Sequence, residues 1–225
     1  MKFKLTLAAL AALAAVAAGA QAQAADFGVY GTAGTVGFGG GIAATFNDHF
    51  GARLGYTAYD YSVDDIEESD LTLDGKLKLG GVQALLDWYP FAGGFRVTAG
   101  AVEGGSLSAR ARPIGGTYTL NDVDYDAEDI GEATGSAKFD SISPYLGVGF
   151  GRALSRDGRF AITADIGVVF TGSPDVALSV TCAVNDPAFC AQLQNDVAAE
   201  KAELQKDADD FKYWPVLSLG VSYKF

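Results

Sequence analysis

The chain has 225 residues, with 28 acidic against 16 basic side chains and a formal net charge of −12. Such acidity excludes nucleic acid, whose phosphates need clustered Lys and Arg, and a polybasic membrane-surface binder. The 29 Gly, 14 Phe and 10 Tyr mark a strand-rich chain with many turns, and the length suits one domain.

In chain order, Lys2 and Lys4 precede an apolar stretch, Leu5 to Ala18, and Ala22-Gln23-Ala24 has the small-x-small pattern of a cleavage site. This predicts a secretory signal peptide over 1–24. The apolar run is about 14 residues, short of the roughly 20 that a spanning helix needs. The mature domain is then 25–225, with 14 basic and 28 acidic residues, a net charge of −14. No later run is apolar and long enough to cross a membrane as a helix, so a membrane role can come only through a closed barrel.

Period-two alternation predicts eight strands, at 26–34, 38–46, 50–62, 71–89, 95–110, 139–153, 159–171 and 213–225. In the second, Phe38, Gly40, Ile42, Ala44 and Phe46 share a parity; in the seventh, Phe160, Ile162, Ala164, Ile166, Val168 and Phe170 do. In the fourth, the apolar parity switches from Leu77 and Leu79 to Val82 and Ala84 across Gly80-Gly81, which suggests a bulge. Turns at 47–49, 90–94 and 154–158 are tight, whereas the connections at 63–70, 111–138 and 172–212 are long. The connection at 35–37 is short and breaks the alternation. Long loops on one side and short turns on the other is the asymmetry of outer-membrane barrels. Phe46, Phe50, Trp88, Tyr89, Phe91, Phe95, Phe150, Phe160, Tyr223 and Phe225 crowd the short turns, where an interfacial girdle belongs.

A soluble sandwich or lipocalin-like barrel would alternate too, with its apolar parity inward. Here the other parity is Gly, Thr, Ser and charge, as in Gly147, Gly149 and Gly151 or Thr163, Asp165 and Gly167. That set fits the polar interior of a narrow membrane barrel. The fold expected is therefore all-β, an eight-stranded antiparallel transmembrane barrel, or ten-stranded if 111–138 adds a pair.

The segments Asp87-Trp88-Tyr89-Pro90-Phe91, Pro144-Tyr145-Leu146-Gly147-Val148-Gly149-Phe150-Gly151 and Ser218-Leu219-Gly220-Val221-Ser222-Tyr223-Lys224-Phe225 resemble small Gram-negative outer-membrane proteins of the OmpA-like and OmpW-like β-barrel kind. The resemblance covers most of the mature chain. It implies that Leu219, Val221, Tyr223 and Phe225 form the C-terminal signal read by the barrel-assembly machinery. It leaves the role open, because one such fold hosts many functions.

Motifs for chemistry are sparse. His49, the sole histidine, falls in a short turn with no nucleophile beside it, so no enzyme, cofactor or catalytic residue is expected. Gly147-x-Gly149-x-Gly151 runs along a strand and opens no helix, so it is a lumen column and not a nucleotide loop. Asp122, Asp124 and Asp126 faintly resemble a calcium loop, but Ala127 and Ala133 stand where Gly and Glu are needed; a hairpin pairing Tyr118 and Leu120 with Val123 and Tyr125 fits better. No metal site follows. The acidic run at 60–74 reads as a solvated face, or as one sharing divalent cations with lipopolysaccharide phosphates. Cys182 and Cys190, in an exported chain, predict a disulfide. Asp186 as cap and Pro187 at the first turn open a helix over 186–210. Its stripe of Phe189, Leu193, Val197, Leu204, Ala208 and Phe211 is expected to pack on the barrel mouth.

Lumen parity carries Arg53, Lys76, Lys78, Asp87, Arg96 and Asp165. Both signs in a narrow bore should pair, since an unpaired buried charge is costly; Arg96 is expected to grip Asp87 across its hairpin, and Asp165 to take Arg53. A structural or surface-interaction protein with a closed lumen follows. A narrow channel for small solutes is the alternative, because the inward glycines leave room for water. Partners would be outer-membrane lipid and lipopolysaccharide, with a protein or host partner at the outer loops.

Overall fold

The computed structural model describes residues 25–68, 71–103, 105–113 and 115–225, without the side chains of 63–68, 71, 73 and 113. The predicted signal peptide over 1–24 therefore lies outside the described residues. Eight strands close a barrel: β1 (Asp26–Gly34), β2 (Gly37–Thr45), β3 (Phe50–Glu68), β4 (Leu71–Trp88), β5 (Phe95–Glu103), β10 (Ile142–Phe150), β11 (Phe160–Phe170) and β13 (Tyr213–Lys224). All neighbours are antiparallel. The ring shuts where β4 meets β5 and where β1 meets β13, with Gly28 opposite Lys224. Closure removes both sheet edges, which is what lets strands cross lipid without unpaired backbone.

The alternation sets the two faces. Ile162 and Ile166 on β11 are 78% and 62% exposed, while Thr163 and Asp165 between them are buried. The exterior is a belt of Leu54, Val82, Leu146, Val148, Ile166, Leu217 and Leu219, a surface that water would not tolerate at this size. Phe50, Trp88, Phe95, Phe150, Phe160 and Phe225 ring its short-turn end, exposed as expected for a girdle. Phe46 and Tyr223 are half-buried there, and Tyr89 is the one that is fully buried. It follows outward Trp88, so the period of two turns it inward.

At the other end the expectation needed correction. The strand drawn over 95–110 splits into β5 and β6 (Ser106–Pro113). Residues 111–138 add no barrel strands. They supply a separate hairpin, β7 (Thr117–Leu120) and β8 (Val123–Asp126), then β9 (Ile130–Lys138). The long loop 172–212 contains β12 (Asp175–Cys182) and a helix, α1 (Pro187–Ala208). Above the rim β3 and β4 continue out of the barrel, and β6, β9 and β12 pair on in that order to make a sheet extension.

This extension explains the parity switch in β4. Its register with β3 passes through Gly80 and Gly81 unshifted. On its other flank, the pairs Gln83↔Val102 and Lys78↔Ser106 show β4 holding one residue more than the β5–β6 side between them. That mismatch is the bulge, and Gly80 and Gly81 take φ of 89° and 153° there, which a side chain would resist. The Glu103 carboxylate accepts from Val82 N at 3.0 Å, filling the broken ladder. β4 itself does not flip. Below the rim its apolar residues face lipid; above it Leu77 and Leu79 lie on the opposite face of the sheet extension. A second core forms among the elements of the long loops.

That second core joins Ile130, Val180, Tyr125, Leu193 and Val197. The helix packs on β12 and the hairpin, not on the barrel mouth. Asp186 caps it by accepting from Ala188 N and Phe189 N, which satisfies two otherwise unpaired donors of the first turn. The Cys182–Cys190 disulfide ties that turn to β12. Only the first part of the stripe is used: Leu193 and Val197 are buried, but Leu204 and Phe211 are exposed. The hairpin turns at Asn121-Asp122, both at positive φ, as a two-residue turn between right-twisted strands requires.

Candidate functional site: the closed lumen

The barrel interior is layered. In its middle sit four charges from four strands. Arg53 on β3 grips Asp87 on β4 with two bonds, Nε to Oδ2 at 2.8 Å and Nη2 to Oδ1 at 2.9 Å. Arg96 on β5 grips Asp165 on β11, with Nη2 at 2.7 Å from each carboxylate oxygen. Longer links close the ring, Arg53 Nη2 to Asp165 Oδ1 at 3.4 Å and Arg96 Nε to Asp87 Oδ1 at 3.6 Å. Thr98 Oγ1 donates to Asp87 Oδ1 at 2.6 Å. The Arg96 guanidinium also donates to the Gly151 carbonyl. Two cations and two anions, all buried, satisfy one another with bidentate geometry, the condition under which buried ions are tolerated.

The partners are exchanged relative to the hairpin expectation. Thr98, not Arg96, lies directly opposite Asp87. Arg96 and Asp165 each lie opposite Gly149, one on either side of β10. A Cβ at Gly149 would come within 2.7 Å of Asp165 Oδ1 and 3.1 Å of Arg96 Nε. The missing side chain is thus the opening through which Arg96 crosses to Asp165. Gly147 and Gly167 do the same for the Tyr145 hydroxyl, which a Cβ at either would meet at 2.4 Å. The inward glycines make room for neighbouring side chains, where the channel reading had them make room for water.

Lys76 and Lys78 do not join this ring. Both are exposed on the sheet extension above the rim. Their parity extrapolates to the lipid-side face of β4, because the β3 register holds through Gly80-Gly81.

Both ends of the bore are filled. Toward the long loops, Leu85, Val102, Tyr145, Val169 and Val216 form an apolar layer with Val36 and Trp214. Toward the short turns, the 151–159 segment folds back under the barrel. Leu154 and Ala153 are buried against Ala43, and Tyr89 Oη accepts from Ala153 N at 2.8 Å. The Arg152 guanidinium lies 4.4 Å from the centroid of the Tyr89 ring, within cation–π range, and donates to the Asp48 carbonyl at 3.0 Å. Arg156 pairs with the Asp48 carboxylate and holds that carboxyl below its ordinary pKa. A cavity of about 30 Å³ remains among Tyr30, Arg53, Thr57, Gln83, Tyr145 and Asp165, space on the scale of a water or two.

The Ala153-Leu154 plug was not anticipated. Its one signal is an apolar pair inside the polar turn Arg152 to Gly158. His49 lies at the short-turn end, with Nδ1 2.8 Å from the Tyr89 carbonyl. In the calcium-like motif, Asp124 and Asp126 accept hydrogen bonds from Thr119 and Thr117 across the hairpin. In the acidic run, the side chains of Asp64, Asp65, Glu67, Glu68 and Asp70 lie outside the described residues.

The sequence matches no protein-family model and no curated protein. Two solved structures are similar over nearly the whole chain. CarO2 of Acinetobacter baumannii has a TM-score of 0.57 and 21% identity, covering 89% of this chain and 98% of its own. CarO of Acinetobacter baumannii has a TM-score of 0.55 and 24% identity, covering 88% and 97%. The fold is that of an outer-membrane β-barrel. A major outer membrane protein from Thermus thermophilus aligns at 19% identity with a TM-score of 0.40, too low to bear on this barrel. With its apolar belt, aromatic girdle and polar interior, this barrel is a protein of the outer membrane.

Proposed function

We propose that this outer-membrane barrel has a closed lumen and acts at its outer surface, as a structural or interaction protein. The observation that supports this reading is the four-charge ring of Arg53, Asp87, Arg96 and Asp165, sealed by an apolar layer on one side and by Leu154 on the other. An ion would have to break two bidentate pairs to pass. The material that barrel economy does not explain is outside: a sheet extension, a hairpin and a disulfide-tied helix with their own core. In this reading that cap faces the exterior and offers the surface for a protein or host partner. Leu219, Val221 and half-buried Tyr223 on β13, with Phe225 just beyond its end, present the apolar side that the barrel-assembly machinery would read.

The test is conductance. The refolded mature protein in planar bilayers should show no steady single-channel current. A large, steady wild-type current would displace the closed-lumen reading in favour of the narrow channel.

A further inference from the structure

We infer that the outer face of the sheet extension carries a binding site for the phosphate of an outer-leaflet lipid headgroup, built from Lys78, Lys138 and Ser106. Three observations converge. The first is register. Lys78 on β4 lies opposite Ser106 on β6, which lies opposite Lys138 on β9. Directly opposed residues in antiparallel strands present their side chains on one face. The two lysines therefore flank a hydroxyl, two strand spacings apart, on the face that continues the lipid-facing side of the barrel. Lys76 follows on the same face of β4, one row farther out.

The second is a groove at that place. Where β4 leaves β5 for β6, the ladder opens into a cleft of about 320 Å³. Its walls include Tyr56, Ala58, Ser106, the two lysines and, beside Lys78, the carboxylate of Asp60. Tyr56 and Ala58 on the barrel side supply an apolar floor; the lysines stand at the other end, with Asp60 at its β3 edge. The third is height. Lys78 is ten residues up β4 from the girdle residue Trp88, and a strand tilted by roughly 40° rises about 25 Å over that length. That is the thickness of the apolar band, so Lys78 stands at its far boundary, where headgroup phosphates lie.

Charge makes the site selective. Among the described residues none of Lys76, Lys78 and Lys138 makes an ion pair, whereas Arg110 and Arg112 on the same face are held by Glu132 and Asp74. Asp60 and Asp175 end the row on either side, so the cationic stretch fits one phosphate and repels a broad anionic surface. In a chain this acidic, ammonium groups that make no ion pair among the described residues, gathered at one membrane boundary, are placed to take an anion. An ammonium and a hydroxyl both donate to phosphate oxygens, and the acyl chains would run down the belt past Tyr56 and Val82.

The inference rests on the barrel spanning the membrane with its long loops outside. The experiment is native mass spectrometry of the mature protein refolded in detergent, titrated with bisphosphorylated lipid A. Wild type should retain one lipid A. Lys78→Ala with Lys138→Ala should weaken retention about 10- to 30-fold, the loss expected for two surface cations, and the Lys→Arg pair should restore most of it. Lys201→Ala with Lys206→Ala on α1 makes the same charge change elsewhere and should leave retention unchanged. Dephosphorylated lipid A should bind wild type no better than it binds the double alanine variant. Equal retention of lipid A by wild type and the double alanine variant overturns the site. Inorganic phosphate competing at concentrations that match lipid A would make the ligand a free anion and overturn the lipid assignment. Because binding is read in detergent, a reversed orientation in cells would undo the functional reading while leaving this measurement interpretable.

Discussion

Asp165 and Arg96 show what one buried residue can decide. Each is held by a partner on another strand, and Gly149 between them is the space through which they meet. Arg96→Ala leaves Asp165 with its weaker link to Arg53 at 3.4 Å. Removing one partner of a buried pair costs about 3–5 kcal/mol, so the urea midpoint should fall and a small, cation-favouring current should appear in planar bilayers. A silent variant would move the barrier to the Ala153-Leu154 plug. Gly149→Ala should destabilise without removing any charge, because its Cβ would also meet the Ala164 carbonyl at 2.8 Å. If Gly149→Ala unfolds at the wild-type urea concentration, the crossing through that gap is not what holds the pair.

At the scale of elements, the hairpin β7–β8 and the helix α1 are joined by a polar latch. Tyr125 Oη donates to Asp196, and Asn121 Nδ2 donates to the same carboxylate at 3.0 Å. These bonds hold the Asp196 carboxyl below its ordinary 3.8. Burial first, and then the bond to Asp196, push the Tyr125 hydroxyl up to about 12 from 10.0. The depressed carboxyl contributes stability above about pH 4 that is lost as pH falls through its folded value. The raised phenol contributes stability below about pH 10 that is lost as pH rises through about 12. Hydrogen exchange of the 117–126 amides, corrected for intrinsic rates, should therefore show constant protection between about pH 5 and 9 and weaken on both sides. Tyr125→Phe should lower protection at neutral pH and abolish the alkaline limb; protection unchanged in that variant would mean the apolar contacts alone hold the hairpin. On the barrel, strand β11 reads out membrane depth. Ile166→Arg, near mid-span and lipid-facing, should cost about 2–4 kcal/mol in bilayer urea titrations, and Phe160→Arg at the girdle clearly less. Thr163 is not the tolerant control that a water-filled lumen would make it, since it is buried beside Gly220.

Among the described residues, the buried clusters of the barrel are separate from the core of the cap, and β3 and β4 run on from the barrel into the sheet extension that carries the cap. The chain order assigns the ends: the start of β1, the end of β13 and the three short turns lie together, and the cap lies opposite. Single cysteines at 201 and 156, in a background lacking Cys182 and Cys190, should label from outside at 201 and not at 156. The opposite pattern would reverse the orientation. Because the cap has its own core, reducing the disulfide should loosen α1 by roughly 2–3 kcal/mol, the entropy of a small ring, while the barrel keeps its resistance to unfolding in detergent.

Much of this was legible in sequence, and for a definite reason. A barrel strand has one lipid face and one polar face, so period two survives in the residues themselves; Ile162, Thr163, Ala164 and Asp165 place β11 without any knowledge of its neighbours. The signals for the hairpin at Asn121-Asp122, the cap at Asp186 and the cysteine pair are equally local. Which strands stand side by side is not local. The exchange of Arg96 from Asp87 to Asp165, the change of partner from β5 to β6 that accounts for the parity switch at Gly80-Gly81, the packing of α1 on β12 and the position of Lys76 and Lys78 outside the bore all depend on register between distant segments. A sequence states which face a residue is on; only tertiary closure determines what that face meets.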